Sequence, residues 1–487
     1  MKEKIRTRYA PSPTGMMHIG NLRTALYEYL IAKSSGGDFI LRIEDTDQVR
    51  YKQGAEEAIY KALRCSGLKH DEGPDIGGSF GPYVQSQRKE HYLPYAKKLV
   101  EEGKAYYCFC TKERLETLKN EDSSEFGGYD RKCRDLDEKT INNLLSNGTA
   151  YVIRQKMPIE GSTTFRDEVF GEITVENKEL QDQILIKADG FPTYNFANVI
   201  DDHEMQITDV VRGCEYLSST PKYNLLYEAF GWQVPRYVHL PLIMGKNEDG
   251  SIAKLSKRHG SVGFEDLLSE GYLPEAIINY IALLGWCPEG NREIFSLEEL
   301  TKEFSVQRIS KSPSVFDYDK LEWFNGEYLR NEEIDKFTQH AEKYIQKAIN
   351  GASLDIKKIA SVLHQRVTKL TQIPEMIDFL ANMPEYDKEI FINKKSKTNL
   401  ENSLFCLKTA KEKLESLQSW DFNSIHEFLL NLALDLGLKN GTLMWPIRIA
   451  VSGRKMTPGG AIEILDILGK EESLRRIEAG IKKLESE

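Results

Sequence analysis

The sequence has no apolar run of membrane-spanning length; the longest, around Ile277–Trp286, falls far short of the ~20 residues a helical span needs. No secretory leader is expected, because Lys2, Glu3, Lys4 and Arg6 dilute the N-terminus, so the expected location is cytoplasmic and no membrane partner is foreseen. Cysteine is scarce. Seven in 487 residues, an odd number, do not make a disulfide framework and fit a reducing compartment. Internal repeats and low-complexity segments are missing, as is any basic excess: 65 Lys+Arg stand against 75 Asp+Glu, a formal net charge of −10, which taken alone argues against a general nucleic-acid binder. What is present is ordinary for a globular chain, with 40% hydrophobic and 29% charged residues. The length allows about three domains.

The acid excess is unevenly placed. From Asn331 to Glu487 there are 23 residues of each sign, so the whole deficit lies in residues 1–330. A shift of this kind suggests two parts with different tasks. In the first part, Ile5–Ala10 reads as a strand leading into Pro11-Ser12-Pro13-Thr14-Gly15, which is too rich in Pro and Gly to continue it. Leu22, Ala25, Leu26, Tyr29 and Leu30 recur at helical spacing up to Gly36-Gly37, and Phe39–Glu44 follows as a second strand. Strand, loop, helix, strand opens a βαβ unit with a parallel sheet, whose ligands bind at the carboxyl ends of the strands. The middle, about Pro82 to Lys187, carries a cysteine cluster, a polar stretch over 119–128, and strand candidates at Tyr151–Gln155 and Gly171–Val175; it reads as an insertion. From about residue 331 the pattern is helical. Ile425, Phe428, Leu429, Leu432 and Leu436 form one stripe closed by Gly437, and Ile462, Leu465 and Leu468 repeat it before Gly469.

His18-Ile19-Gly20 falls between the first strand and the first helix. Backbone N–H groups at a helix start suit an anion, Gly15 and Gly20 allow close approach, and an imidazole can donate to a phosphate oxygen as charge develops there. Lys254-Leu255-Ser256-Lys257-Arg258 is a basic run whose ammonium groups could follow a polyphosphate. Together these segments, Pro-Ser-Pro-Thr-Gly-x-x-His-Ile-Gly and Lys-Leu-Ser-Lys-Arg, are similar to the HIGH and KMSKS motifs of class I aminoacyl-tRNA synthetases. More narrowly, the chain resembles the bacterial glutamyl-tRNA synthetases along nearly its whole length. The carrying segments are Arg8–Gly15, Arg42–Asp47, Asp71–Pro74, Asp189–Tyr194 with Ala197-Asn198, Val211–Gly213 and Val315–Asp317.

The resemblance implies an α/β fold: a Rossmann-type parallel-sheet catalytic domain, an inserted α/β acceptor-binding module, and all-α C-terminal anticodon-binding domains. The expected division is 1–82 and 188–330 for the catalytic domain, 83–187 for the insertion, and 331–384 and 385–487 for two helical subdomains. It further implies ATP-dependent attachment of L-glutamate to tRNA(Glu) through a glutamyl-adenylate. A non-discriminating enzyme that also charges tRNA(Gln) is the first alternative, and a non-catalytic tRNA-binding paralogue the second. ATP is assigned to Pro11, Gly15, His18, Gly20, Lys254, Ser256, Lys257 and Arg258, with His18 and Lys257 catalytic and Mg²⁺ arriving on ATP. Glutamate is assigned to Arg8, Tyr194 and Asn198 (side-chain carboxylate), Arg212 (α-carboxylate), and Glu44 with Ser12 (ammonium). Guanidinium forks suit carboxylates and would reject the uncharged amide of glutamine.

Cys108, Cys110 and Cys133 form a cluster that points to zinc before disulfide in a reducing compartment. The fourth ligand is Tyr129 or Asp135: some relatives place a His where Asp135 stands, and others a Tyr four residues before the third Cys. Arg366 matches the position from which relatives contact the third anticodon base; Trp445, Arg448, Arg454 and Lys455 are further candidates for tRNA contact. No DNA is expected as partner, and the resemblance implies a monomer. tRNA affinity would then rest on individually placed arginines, not on total charge.

Overall fold

The computed structural model describes residues 4–47, 52–121 and 129–486, with the side chains of residues 119–121 and 257 outside the described set. Most of the polar stretch 119–128, and the side chain of Lys257, therefore lie outside it. The chain forms two compact units: Met1–Leu267 with Ile277–Asp317, and Leu268–Ala276 with Tyr318–Glu487.

In the first unit, strands β1 (Arg6–Tyr9) and β2 (Asp38–Leu41) pair in parallel, Arg8 opposite Ile40. The helix Ile19–Ser34 crosses between them, burying Leu22, Ala25, Leu26 and Leu30 as its spacing predicts. The further strands are β3 (Ala105–Cys108), β4 (Val152–Gln155), β5 (Ser162–Asp167), β6 (Gly171–Glu176), β7 (Ile184–Ile186), β8 (Asp209–Gly213), β9 (Arg236–Leu240), β10 (Ile243–Lys246), β11 (Ile252–Lys254) and β12 (Ser314–Val315). Thr208 donates its N–H to the Arg6 carbonyl at 3.0 Å, joining β1 to the start of β8. From there β8 and β9 pair in parallel, and β5 joins β9 at Asp167–Tyr237. Strands β3, β4 and β7 make a separate antiparallel sheet. Segment 83–187 thus contributes to two sheets, and its strand β5 hydrogen-bonds into the one that carries β8 and β9.

A charged network is buried under the carboxyl ends of β1 and β2. Arg42 is fully buried, and its Nη2 donates to Glu44 Oε1 at 3.0 Å and pairs with Asp202 Oδ1 at 2.8 Å. The same Asp202 oxygen accepts from Arg8 Nε at 2.9 Å. Asp201, its neighbour on the helix Tyr194–Glu204, accepts from Gln85 Nε2 (2.8 Å), Arg88 Nε (2.7 Å) and the Tyr92 hydroxyl. Charges this deep persist only when paired and hydrogen-bonded.

The second unit is helical. Its core includes Phe337, Ile345, Ile359, Leu363, Cys406, Leu407, Leu429, Ile447 and Leu465. The helix Phe422–Asp435 buries Ile425, Leu429 and Leu432 and stops before Gly437, whose φ of 63° is the left-handed form favoured by glycine. Gly469 does not end its helix as the sequence pattern suggests. It breaks the 461–485 segment at φ 77°, ψ 169°, and helix resumes beyond it.

The network predicts a large stability effect. Arg42→Met removes the shared partner of Asp202 and Glu44 and is expected to cost ~3–5 kcal/mol, measured by urea unfolding of the first unit's transition.

Candidate active site

A cavity of about 630 Å³ opens at the carboxyl ends of β1, β8 and β9 and is lined by both motif segments. The structure brings Arg8, Pro11, Ser12, His18, Gly20, Glu44, Tyr194, Arg212, Lys254 and Ser256 to this one cavity. Gly15 does not line it. Arg258 is exposed and lines a separate recess beside Asn247 and His259.

His18 caps the first helix, its Nδ1 accepting from the Gly20 N–H at 3.0 Å. An acceptor Nδ1 leaves the ring proton of a neutral imidazole on Nε2. Residues far along the chain are fixed to this turn by backbone bonds: Ile19 N–H donates to the Val262 carbonyl (2.9 Å) and Phe264 N–H to the Met17 carbonyl (3.0 Å). The basic run follows the β10–β11 hairpin. Leu255 is buried, and its N–H donates to the Ile243 carbonyl at 3.0 Å. His259 latches the turn, since Ser256 N–H donates to its Nδ1 (3.0 Å) while its Nε2 meets Asn247 Oδ1 (2.9 Å). A side chain at Gly245 would place Cβ 2.5 Å from the His259 ring, so this hairpin requires glycine there.

Arg8 is held by Asp202 and by Glu28, whose Oε1 lies 3.3 Å from Nη1. Burial pushes the Glu28 carboxyl well above the usual carboxylate range, against the pull of Arg8. Burial likewise raises Glu44 to about 7, opposed by Arg42 and Arg8. The Glu44 N–H donates to the Pro11 carbonyl at 3.0 Å, which ties the proline-rich loop to the end of β2. Arg212 is only 6% exposed, and among the described residues no carboxylate lies within ion-pair distance of it. Its guanidinium lies 4.5 Å over the Tyr223 ring, donates from Nε to His239 Nε2 (3.1 Å), and donates from Nη2 to Thr220 Oγ1 (2.9 Å). Asn198 is buried on the helix Tyr194–Glu204 but is not among the residues lining the cavity, and among the described residues its Nδ2 finds no hydrogen-bond acceptor.

The sulfurs of Cys108, Cys110 and Cys133 lie within 4.8 Å of one another. The Tyr129 hydroxyl is 3.3 Å from Cys108 Sγ and accepts from the Cys133 N–H at 3.1 Å, so it sits against the cluster. Asp135 does not: its carboxylate is 82% exposed and lies 3.3 Å from Lys156 Nζ. Three thiols and a phenol fit a tetrahedral zinc site; of the two fourth-ligand candidates, the structure brings only Tyr129 to the sulfurs.

Comparison with known proteins decides the family. The domain family described as tRNA synthetases class I (E and Q), catalytic domain, matches residues 4–323, and an anticodon binding domain matches 336–481. The chain is 57% identical over 486 residues to the glutamate–tRNA ligase of Clostridium kluyveri, covering 99% of each chain, and 58% identical over 488 residues to that of Clostridium botulinum, covering 100% of each. The chain belongs to the glutamate–tRNA ligases, class I aminoacyl-tRNA synthetases. A solved glutamate tRNA ligase from Elizabethkingia meningosepticum, in complex with its amino acid, superposes with a TM-score of 0.89 at 36% identity, covering 99% of this chain and 100% of that one. Among the described residues no helix is long and apolar enough to cross a membrane.

In the helical unit of this ligase, Arg366 is exposed on the turn after the helix Ile356–Leu363. Trp445 is less available than the sequence suggests, because its indole N–H donates to the Ile390 carbonyl (3.1 Å) and Arg448 packs 4.6 Å from its ring. Arg454 pairs with Asp378 at 2.6 Å. Sequence reasoning missed Glu28, Asp201, Asp202, Asp167 and His239. Two adjacent acids after Val199-Ile200 in an apolar helix were a readable signal for Asp201 and Asp202; nothing local marks Asp167.

The cluster gives a direct prediction. Metal analysis of the purified protein is expected to find about one zinc per chain. Cys133→Ser and Tyr129→Phe are expected to lower that content, and Asp135→Ala to leave it unchanged.

Proposed function

We propose that this ligase joins L-glutamate to tRNA(Glu) in two steps within the cavity at the ends of β1, β8 and β9. A glutamate α-carboxylate oxygen attacks the α-phosphorus of ATP and pyrophosphate leaves, giving glutamyl-adenylate. The terminal ribose hydroxyl of the tRNA then attacks the acyl carbon and AMP leaves. The observation that supports this best is Arg212, a buried guanidinium lining the cavity with no carboxylate partner among the described residues. It would take the α-carboxylate. Arg8 and Tyr194, with Asn198 and its unsatisfied Nδ2, would take the side-chain carboxylate; Glu44 and Ser12 would take the ammonium.

No enzyme nucleophile is needed, so rate comes from positioning and charge stabilisation. His18 would donate from Nε2 to the α-phosphate as its charge rises, with Gly20 leaving room at the helix start. Pro11, Lys254 and Ser256, which line the cavity, with Lys257 next in the chain, would complete the nucleotide site, Mg²⁺ entering with ATP; Gly15 and Arg258 lie outside that lining. Cys108, Cys110, Cys133 and Tyr129 would hold a structural zinc that braces segment 83–187 for the acceptor end of the tRNA. The segments 331–384 and 385–487 would read the anticodon, with Arg366 at its third base. We place the enzyme in the cytoplasm, as a monomer.

ATP–pyrophosphate exchange dependent on glutamate, assayed with and without tRNA(Glu), tests the activity; no exchange even with tRNA would sink it. Charging tRNA(Glu) and tRNA(Gln) side by side distinguishes a discriminating enzyme from one that misacylates the second. Arg8→Leu removes charge-assisted bonds of ~1.5–3 kcal/mol and is expected to raise the KM for glutamate by about 10- to 150-fold; an unchanged KM would remove Arg8 from the pocket. pH gives a second test. Only ionised Glu44 attracts an ammonium, and its carboxyl titrates at about 7, so glutamate kcat/KM is expected to fall as pH drops through that value. Glu44→Gln should flatten that limb of the profile.

A further inference from the structure

Arg212 is oriented by a chain of hydrogen bonds that begins on another strand. Asp167, at the end of β5, is almost fully buried and makes four bonds. Its Oδ1 accepts from the N–H groups of Val169 (2.9 Å) and Phe170 (2.8 Å), which fixes the carboxylate by its own turn. Its Oδ2 accepts from His239 twice, from the backbone N–H at 3.0 Å and from Nδ1 at 2.7 Å. His239, fully buried on β9, therefore carries a proton on Nδ1 and turns the lone pair of Nε2 toward Arg212 Nε, 3.1 Å away. Thr220 Oγ1 accepts from Arg212 Nη2 at 2.9 Å while donating to the Tyr216 carbonyl at 2.9 Å. The Nε and Nη2 hydrogens used here belong to one edge of the guanidinium. Its end-on Nη1/Nη2 edge remains for the cavity.

This arrangement answers a difficulty of the site. An arginine that must receive a substrate carboxylate cannot be neutralised beforehand by a carboxylate in direct contact, yet an unsupported guanidinium would wander among rotamers. Neutral acceptors hold Arg212 while leaving its charge uncancelled, and Asp167 supplies its negative charge one ring away.

We propose that Asp167 and His239 are positioning residues for substrate recognition: Asp167 selects the His239 tautomer, and that tautomer, with Thr220, sets the edge Arg212 presents to the glutamate α-carboxylate. The inference rests on Arg212 being the α-carboxylate ligand, as read above. A proton on His239 Nε2 would face the Arg212 N–H, donor against donor. The groups around the ring are Asp167 from β5, Arg212 from β8, Glu215 from the turn after β8, Thr220 at the start of the helix Thr220–Phe230, and Tyr237 on its own strand. Burial, which lowers His239's affinity for a second proton, agrees with this geometry.

The test uses the full-length enzyme in tRNA-dependent ATP–pyrophosphate exchange. Asp167→Asn puts an amide donor against His239 and favours the opposite tautomer. It is expected to raise the KM for glutamate by roughly 10- to 100-fold, more than it lowers kcat, with the KM for ATP little changed. Thr220→Val is expected to raise the glutamate KM in the same sense, and Thr220→Ser, which keeps the oxygen, to restore it. In the wild type, nitrogen-15 NMR of His239 should report the neutral Nδ1–H form at pH 7. A folded Asp167→Asn enzyme with unchanged glutamate KM, an Nε2–H or doubly protonated ring, or equal effects of the Thr220 Val and Ser variants would overturn the proposal. If Asp167→Asn does not fold, the Thr220 pair and the NMR signal decide. Arg212→Lys separates the two readings: if it leaves the glutamate KM unchanged, the pocket assignment itself fails; if it raises KM while the other variants do not, only the positioning role fails.

Discussion

One carboxylate oxygen, Asp202 Oδ1, is shared by Arg8 and Arg42, and the pocket is built around that sharing. A site for a substrate with two carboxylates must bury cations, and each buried cation needs an anion that would also quench it. Sharing solves this economically. Arg42 stays wholly inside and pairs with both Asp202 and Glu44, so Asp202 is not devoted to Arg8 alone. Glu28 adds a third carboxylate to two guanidiniums, and burial drives it toward the protonated form, which lightens the negative load on Arg8. Arg212 reaches the same end differently, held by a neutral imidazole and a hydroxyl.

The second constraint is geometric. The proposed ATP chemistry calls for His18 and the basic run together although they are far apart in sequence. Backbone bonds from Met17 and Ile19 to residues 262–264 stitch the two turns, and the Asn247–His259 latch shapes the hairpin between them. The His18 turn follows β1 of the parallel pair, where the Pro11 carbonyl meets the Glu44 N–H, while the basic run follows a hairpin in a separate sheet with β12.

Much of this was legible from residues alone. The spacing of Leu22, Leu26 and Leu30, the Pro/Gly loop, and the Ile425–Leu436 stripe each predict an element that is present, because burial of one face dominates local structure. The resemblance brought Arg8, Glu44, Tyr194 and Arg212 to one pocket, and these residues do line one cavity. What could not be read was support. Asp202, Glu28 and the Asp167–His239 pair act through contacts between helices and strands distant in sequence, and neither periodicity nor composition records which buried charges face one another. Gly469 shows the local limit: a glycine signal marks a break in direction without telling whether helix resumes.

The central claim is that paired guanidiniums, backed by buried carboxylates, recognise glutamate by its two ends. A crystal structure of this protein with L-glutamate bound tests it most directly. The prediction is a side-chain carboxylate within hydrogen-bond distance of Arg8, an α-carboxylate on the end-on edge of Arg212, and the ammonium against Glu44. Glutamate bound with its ends exchanged, or bound without contact to either arginine, would contradict the account.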